Sequence, residues 1–115
     1  MPAAELAGLF AAGELHVRLN ALRLLVRIGK WDGLAWALRA CGDADPRIAR
    51  IAQGQVAQWI GRSNRSFAEP TPEQATRVGE ALRNAAGCLP DVQRSRLMSS
   101  LPATVRAAVT KEARR

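Results

Sequence analysis

A chain of 115 residues, 48% of them apolar, with a formal charge of +7 and a pI near 11.2, suffices for one domain that buries more than about 60% of its unfolded surface. With two Phe, three Trp and no Tyr, the core must come from Leu, Ala, Val and Ile, which favours helices over a β-sandwich. No window approaches the roughly 20 apolar residues of a membrane span, and residues 1–12 lack the basic start of a signal peptide, so a cytoplasmic, membrane-free protein is expected.

Arg supplies 15 of the 17 basic residues, and they are spread along the chain instead of gathered in one block. A basic surface selected for an anionic partner gives that composition, and so does the Arg- and Ala-rich coding of a GC-rich genome. Cys41 and Cys88 are too few and too far apart for a disulfide framework or a zinc site and read as reduced core thiols.

Pro2 to Ala12 reads as a short helix with Leu6, Leu9 and Phe10 on one side and Gly13 ending it. Glu14 to Ile28 follows as an inner helix. On a helical wheel Val17, Ala21, Leu24, Leu25 and Ile28 form one apolar face and Leu15, Leu19, Leu22 and Val26 a second, which predicts burial on two sides. Two polar seams remain. Glu14 and Arg18 are spaced for an i,i+4 ion pair, while His16, Asn20, Arg23 and Arg27 face solvent or a partner.

Gly29 stops that helix, and Lys30 to Cys41 forms an outer helix with Leu34, Ala37, Leu38 and Cys41 inward and Trp31 and Trp36 as packing anchors. In the turn from Gly42 to Pro46, Asp45 is an N-cap and Pro46 the first helical residue. Arg47 to Ile60 then shows Ile48, Ile51, Ala52, Val56, Trp59 and Ile60 on one apolar face, and Arg47, Arg50, Gly54 and Gln58 on the polar side.

A shift of 31 residues carries Val17, Ala21, Leu25 and Ile28 onto Ile48, Ala52, Val56 and Trp59. The same shift carries His16 onto Arg47, Arg23 onto Gly54 and Arg27 onto Gln58. Two copies of one helical unit with aligned polar seams predict a ridge of His16, Asn20, Arg23, Arg27, Arg47 and Gln58.

The stretch from Gly61 to Pro70 reads as a loop in which Arg62, Ser63, Arg65 and Ser66 lack the Gly-rich setting of a phosphate cradle, so it is taken as a solvated connector. Thr71-Pro72-Glu73-Gln74 is a capping box opening a helix with Ala75, Val78, Leu82 and Ala85 as its stripe and Glu73 paired with Arg77. Two shorter helices, Pro90 to Leu101 and Pro102 to Ala113, carry Val92, Leu97, Leu101, Val105, Ala108 and Val109, and Arg114 and Arg115 are a frayed end. The expected division is two helical repeats over 1–61, a loop over 62–70, and a third hairpin or cap over 71–115.

Val17-Arg18 with Ala21, Leu25 and Ile28, followed by Asp45-Pro46-Arg47-Ile48 with Ala52, Val56 and Trp59, resembles the inner helices of HEAT-like repeat proteins, closest to short bacterial repeats of the phycobilin-lyase type. The resemblance covers about half of the chain. It implies an all-α fold of αα-hairpins stacked as a short right-handed α-solenoid of six or seven helices, binding another macromolecule through its concave face. In such repeats an Arg after an aliphatic residue reaches an acid of the adjoining unit. The resemblance gives that role to Arg18 and makes Glu14, Asp45, Trp36 and Trp59 inter-repeat structural residues, although Ala49 stands where the second copy would carry its Arg. With two clear repeats, the chain is expected either to be the terminal part of a longer protein or to use residues 71–115 as a third unit.

His16 is the only histidine and has no Ser or carboxylate at a catalytic spacing, and no set of metal ligands recurs, so no catalytic, metal or cofactor residue is assigned. The expected role is a non-catalytic scaffold or adaptor that docks an acidic protein on the basic ridge. The alternative is nucleic acid held by the same Arg side chains, and a third reading is self-association through Leu6, Leu9 and Phe10.

Overall fold

The computed structural model describes residues 3–62, 69–85 and 87–113, and these residues form seven α-helices and no strand. The helices are α1 Ala3–Ala12, α2 Leu15–Leu25, α3 Lys30–Cys41, α4 Pro46–Arg62, α5 Pro72–Ala85, α6 Asp91–Ser100 and α7 Ala103–Ala113. Ser63, Arg65, Ser66, Arg114 and Arg115, read above as loop and terminus, lie outside the described residues.

Local chemistry sets the helix ends. Asp45 accepts from the Arg47 backbone N–H at 2.9 Å and so caps α4, with Pro46 at the first position where no N–H is needed. At α5 the capping box closes in both directions: Gln74 N–H donates to Thr71 Oγ1 at 3.2 Å, and Thr71 N–H to Gln74 Oε1 at 3.0 Å. The second helix is shorter than its periodicity predicts. It ends at Leu25, and Arg27 and Ile28 continue with tighter bonds to the carbonyls of Leu24 and Leu25 before Gly29 turns the chain.

Helix α3 is the hub. It packs on α2, α4 and α5, while α1 lies on α2, α6 on α4 and α7 on α5. The sequence reading makes Lys30–Cys41 an outer helix; instead it is the most enclosed one, with Trp31, Leu34, Leu38 and Cys41 buried. Small residues explain this, because Gly33, Ala35, Ala37 and Ala40 let neighbours approach on several sides. Leu22, Leu25, Ile48, Val56, Val78, Leu82, Leu97 and Val105 complete one continuous core. Burying each of the larger aliphatic side chains contributes about 1.5–3 kcal/mol. The radius of gyration is 13.4 Å and the extents are 37 × 29 × 27 Å, as for an ordinary globular chain of this length.

Burial departs from the periodic pattern in α2 and its following turn and in α6. Leu24 is 49% exposed and Ile28 45%, so one edge of the first apolar face of α2 is uncovered, whereas Ala21 and Leu25 of that face and Leu22 of the second are buried. Val92 on α6 is 71% exposed. Leu6 and Phe10 turn inward onto α2 and α3, and of the expected self-association patch on α1 Leu9 alone remains exposed.

Candidate functional site

Helices α2 and α4 share no extensive contact, and the space between their C-terminal ends is a cleft of about 610 Å³ floored by α3. The turn from Val26 to Gly29 forms one wall. It lies so close to α3 that a Cβ built on Gly33 would stand 2.3 Å from the Val26 carbonyl oxygen, so only glycine permits this approach. The opposite wall is the last two turns of α4, where Gln55, Gln58, Trp59 and Arg62 fall at i, i+3, i+4 and i+7 on one face.

The lining divides by chemistry. Val26 and the Trp59 ring, both half-buried, make an apolar floor backed by the buried Leu34 and Ala37, and Arg23, Arg27, Lys30 and Arg62 bring four positive charges. No carboxylate lines the cleft among the described residues. Arg27 and Arg62 have no acidic partner among those residues. Like charges on low-dielectric walls add their fields, which makes such a cleft attractive to anions.

Trp59 is fixed in place. Its indole Nε1–H donates to the Lys30 carbonyl oxygen at 2.7 Å, and its ring leans on Trp31 with centroids 5.4 Å apart. Lys30 Nζ lies 4.8 Å from the Trp31 ring centroid and 5.8 Å from that of Trp59, a cation–π arrangement that holds a charge at the floor of the cleft.

Of the six ridge residues expected from sequence, Arg23, Arg27 and Gln58 line this cleft. Asn20 accepts a long bond of 3.5 Å from Arg23 just outside it. His16 and Arg47 are not part of it. His16 is exposed on the first turn of α2, with Nδ1 3.8 Å from Glu14, and Arg47 folds back onto Asp45 at the opposite end of α4. That contact holds the Asp45 carboxyl below its ordinary value and raises the Arg47 guanidinium, each through hydrogen bonds to the other.

Sequence reasoning missed Lys30, Gln55 and Arg62 as members of one site. The signal was the spacing of Arg62 four residues after Gln58 on the same helical face, hidden by ending that helix at Ile60.

The structural residues also rearrange. Arg18 does not pair with Glu14 along its helix; its Nη atoms donate to the Asp43 carboxylate and its Nε to the Phe10 carbonyl oxygen at 2.6 Å. A tertiary pair shielded from water outcompetes an exposed i,i+4 pair worth about 0.2–0.5 kcal/mol. Arg77 likewise does not pair with Glu73; it donates to Asp32 at 3.0 Å in a half-exposed pair that ties α5 to α3. The acid that Arg18 reaches is Asp43, whereas Asp45 serves its own helix. Trp36 packs edge-on against Phe10 at 6.2 Å, away from the cleft.

Among the described residues no group of three His, Cys, Asp or Glu side chains gathers as metal ligands would. No helix there is long and apolar enough to cross a membrane. No family model, no curated protein and no solved structure matches this chain.

Proposed function

We propose that the protein is a binding module that takes an acidic segment of another protein into the cleft between α2 and α4. The observation that carries this reading is the convergence of Arg23, Arg27, Lys30 and Arg62 around an apolar floor with no carboxylate among the described lining residues. The side chains come from three helices and the turn after α2, so the concentration of charge is a product of the fold and not of one basic run. The packing of α3 on α5, α4 on α6 and α5 on α7 supports the finer description of the chain as a short HEAT-like αα-solenoid. The Arg18–Asp43 link between successive helical pairs supports it as well.

Nucleic acid is the second reading, favoured by the net charge of +7. Lys30 Nζ over the Trp31 and Trp59 rings argues against base stacking there, because a stacked base needs an open ring face.

Charge reversal tests the reading. Arg23→Glu with Arg27→Glu, both exposed, should lower affinity for a labelled acidic polypeptide at least about tenfold while leaving the melting temperature within the small range of surface substitutions. Unchanged affinity would refute the cleft as the docking surface. Tighter binding to a duplex or single strand, falling steeply with salt, would favour the second reading.

A further inference from the structure

The cleft is not simply a cationic patch. Its charges stand around the half-buried Val26 and Trp59, backed by the buried Leu34 and Ala37, apolar groups that a purely electrostatic site does not need. We infer that the segment it takes is an acidic peptide built around a bulky apolar anchor, the anchor seated against Val26 and the Trp59 ring and flanking carboxylates held by Arg23, Arg27 and Arg62.

This rests on the reading that the cleft docks acidic protein, and three features deepen it. The volume of about 610 Å³ lies within the roughly 300–1,000 Å³ of ligand pockets, enough for an anchor side chain and its flanks. The Trp59 ring is immobilised by its bond to the Lys30 carbonyl and by Trp31, so an apolar side chain meets a preorganised wall and little entropy is lost on ordering it. Gln55 and Gln58 each offer an amide that both donates and accepts, which suits the N–H and C=O groups of a peptide main chain; a phosphate backbone only accepts. Apolar floor, charged rim and bifunctional amides together suit an acidic polypeptide with an apolar side chain.

The experiment compares three fluorescein-labelled probes by anisotropy at about 150 mM salt, where exposed charges are screened beyond about 8 Å. The first is a short Asp/Glu-rich peptide with one central Phe, the second the same peptide with Ala at that position, and the third a single-stranded oligonucleotide of equal charge. The Phe peptide should bind at least about tenfold more tightly than the Ala peptide, since the difference is one buried apolar side chain. Arg27→Glu with Arg62→Glu should weaken both peptides, whereas Val26→Thr should remove part of the Phe advantage and leave the Ala peptide unaffected. Melting curves on each variant separate lost binding from lost fold.

Equal affinity for the two peptides would overturn the anchor and leave the acidic-docking reading standing. Tighter binding of the oligonucleotide than of either peptide, or no binding of any probe, would overturn the anchor together with the reading it rests on.

Discussion

Replacing Gly33 by alanine should destabilise the protein and weaken its cleft, whereas the same change at Gly54 should stabilise it. In an isolated helix both substitutions help by up to about 1 kcal/mol, because glycine loses more backbone freedom on folding. At Gly54, exposed on α4, a Cβ meets nothing within 4 Å, so that gain is realised. At Gly33 the new Cβ would stand 2.3 Å from the Val26 carbonyl oxygen, 2.9 Å from its carbon and 3.3 Å from its Cα. An ordinary C···O contact is about 3.3–3.6 Å, so the turn must retreat by about 1 Å, and backbone cannot rotate aside as a side chain can. Overpacking of this kind costs about 1–3 kcal/mol or more, which outweighs the helical gain. The assay is thermal and urea unfolding followed by far-UV circular dichroism. A chain of this size shifts by roughly 3–6 °C per kcal/mol, so Gly54→Ala should melt several degrees higher and Gly33→Ala several degrees lower. Because the displaced turn carries Val26 and Gly29 of the cleft wall, Gly33→Ala should also weaken acidic-peptide binding, measured where the variant is fully folded. A Gly33→Ala protein as stable as wild type would refute the close packing of the turn on α3.

Removing the acid that Arg18 reaches, by Asp43→Ala, should cost about 1.5–3 kcal/mol in urea unfolding, the range for hydrogen bonds to charged groups, while Glu14→Ala stays within about 0.5 kcal/mol. Arg47 holds Asp45 below its ordinary 3.8, so its stabilisation is full above the unfolded-state value and is lost as the pH falls through the lower folded value. The melting-temperature gap between wild type and Asp45→Ala should therefore be open at about pH 6 and narrow as the pH falls below 3.8. Burial, with a smaller contribution from Cys88, pushes the Cys41 thiol up to about 11, whereas Cys88 itself is exposed. At about pH 8 only about a thousandth of Cys41 is thiolate, so iodoacetamide should modify Cys88 first and reach Cys41 only on unfolding, as read by peptide mass.

Helix positions were legible in the sequence because their signals are local. Asp45-Pro46 and Thr71-Pro72-Glu73-Gln74 each contain the groups that satisfy the first helical N–H donors, and both act as the sequence predicts. Pairings across elements were not legible. Glu14 with Arg18 and Glu73 with Arg77 have good helical spacing, but Asp43 and Asp32 are brought near by the fold, and nothing local announces them. Which apolar residues are covered is also a tertiary matter: the wheel of α2 shows two apolar faces, and the neighbours bury Ala21, Leu22 and Leu25 across both while Leu24 and Ile28 stay exposed. The 31-residue register found Arg23, Arg27 and Gln58 because it compares equivalent turns of α2 and α4. It could not find Lys30, which joins the cleft from α3, or separate Arg47, which Asp45 retains.

The most direct test of the cleft is a ¹⁵N NMR titration of the protein with the Phe-anchored acidic peptide. The largest shifts should fall on the Trp59 indole Nε1–H and on the amides of Arg27, Gln58 and Arg62, with α6 and α7 unmoved. Shifts gathered on α6 and α7, with the Trp59 indole unchanged at saturation, would contradict docking in the cleft.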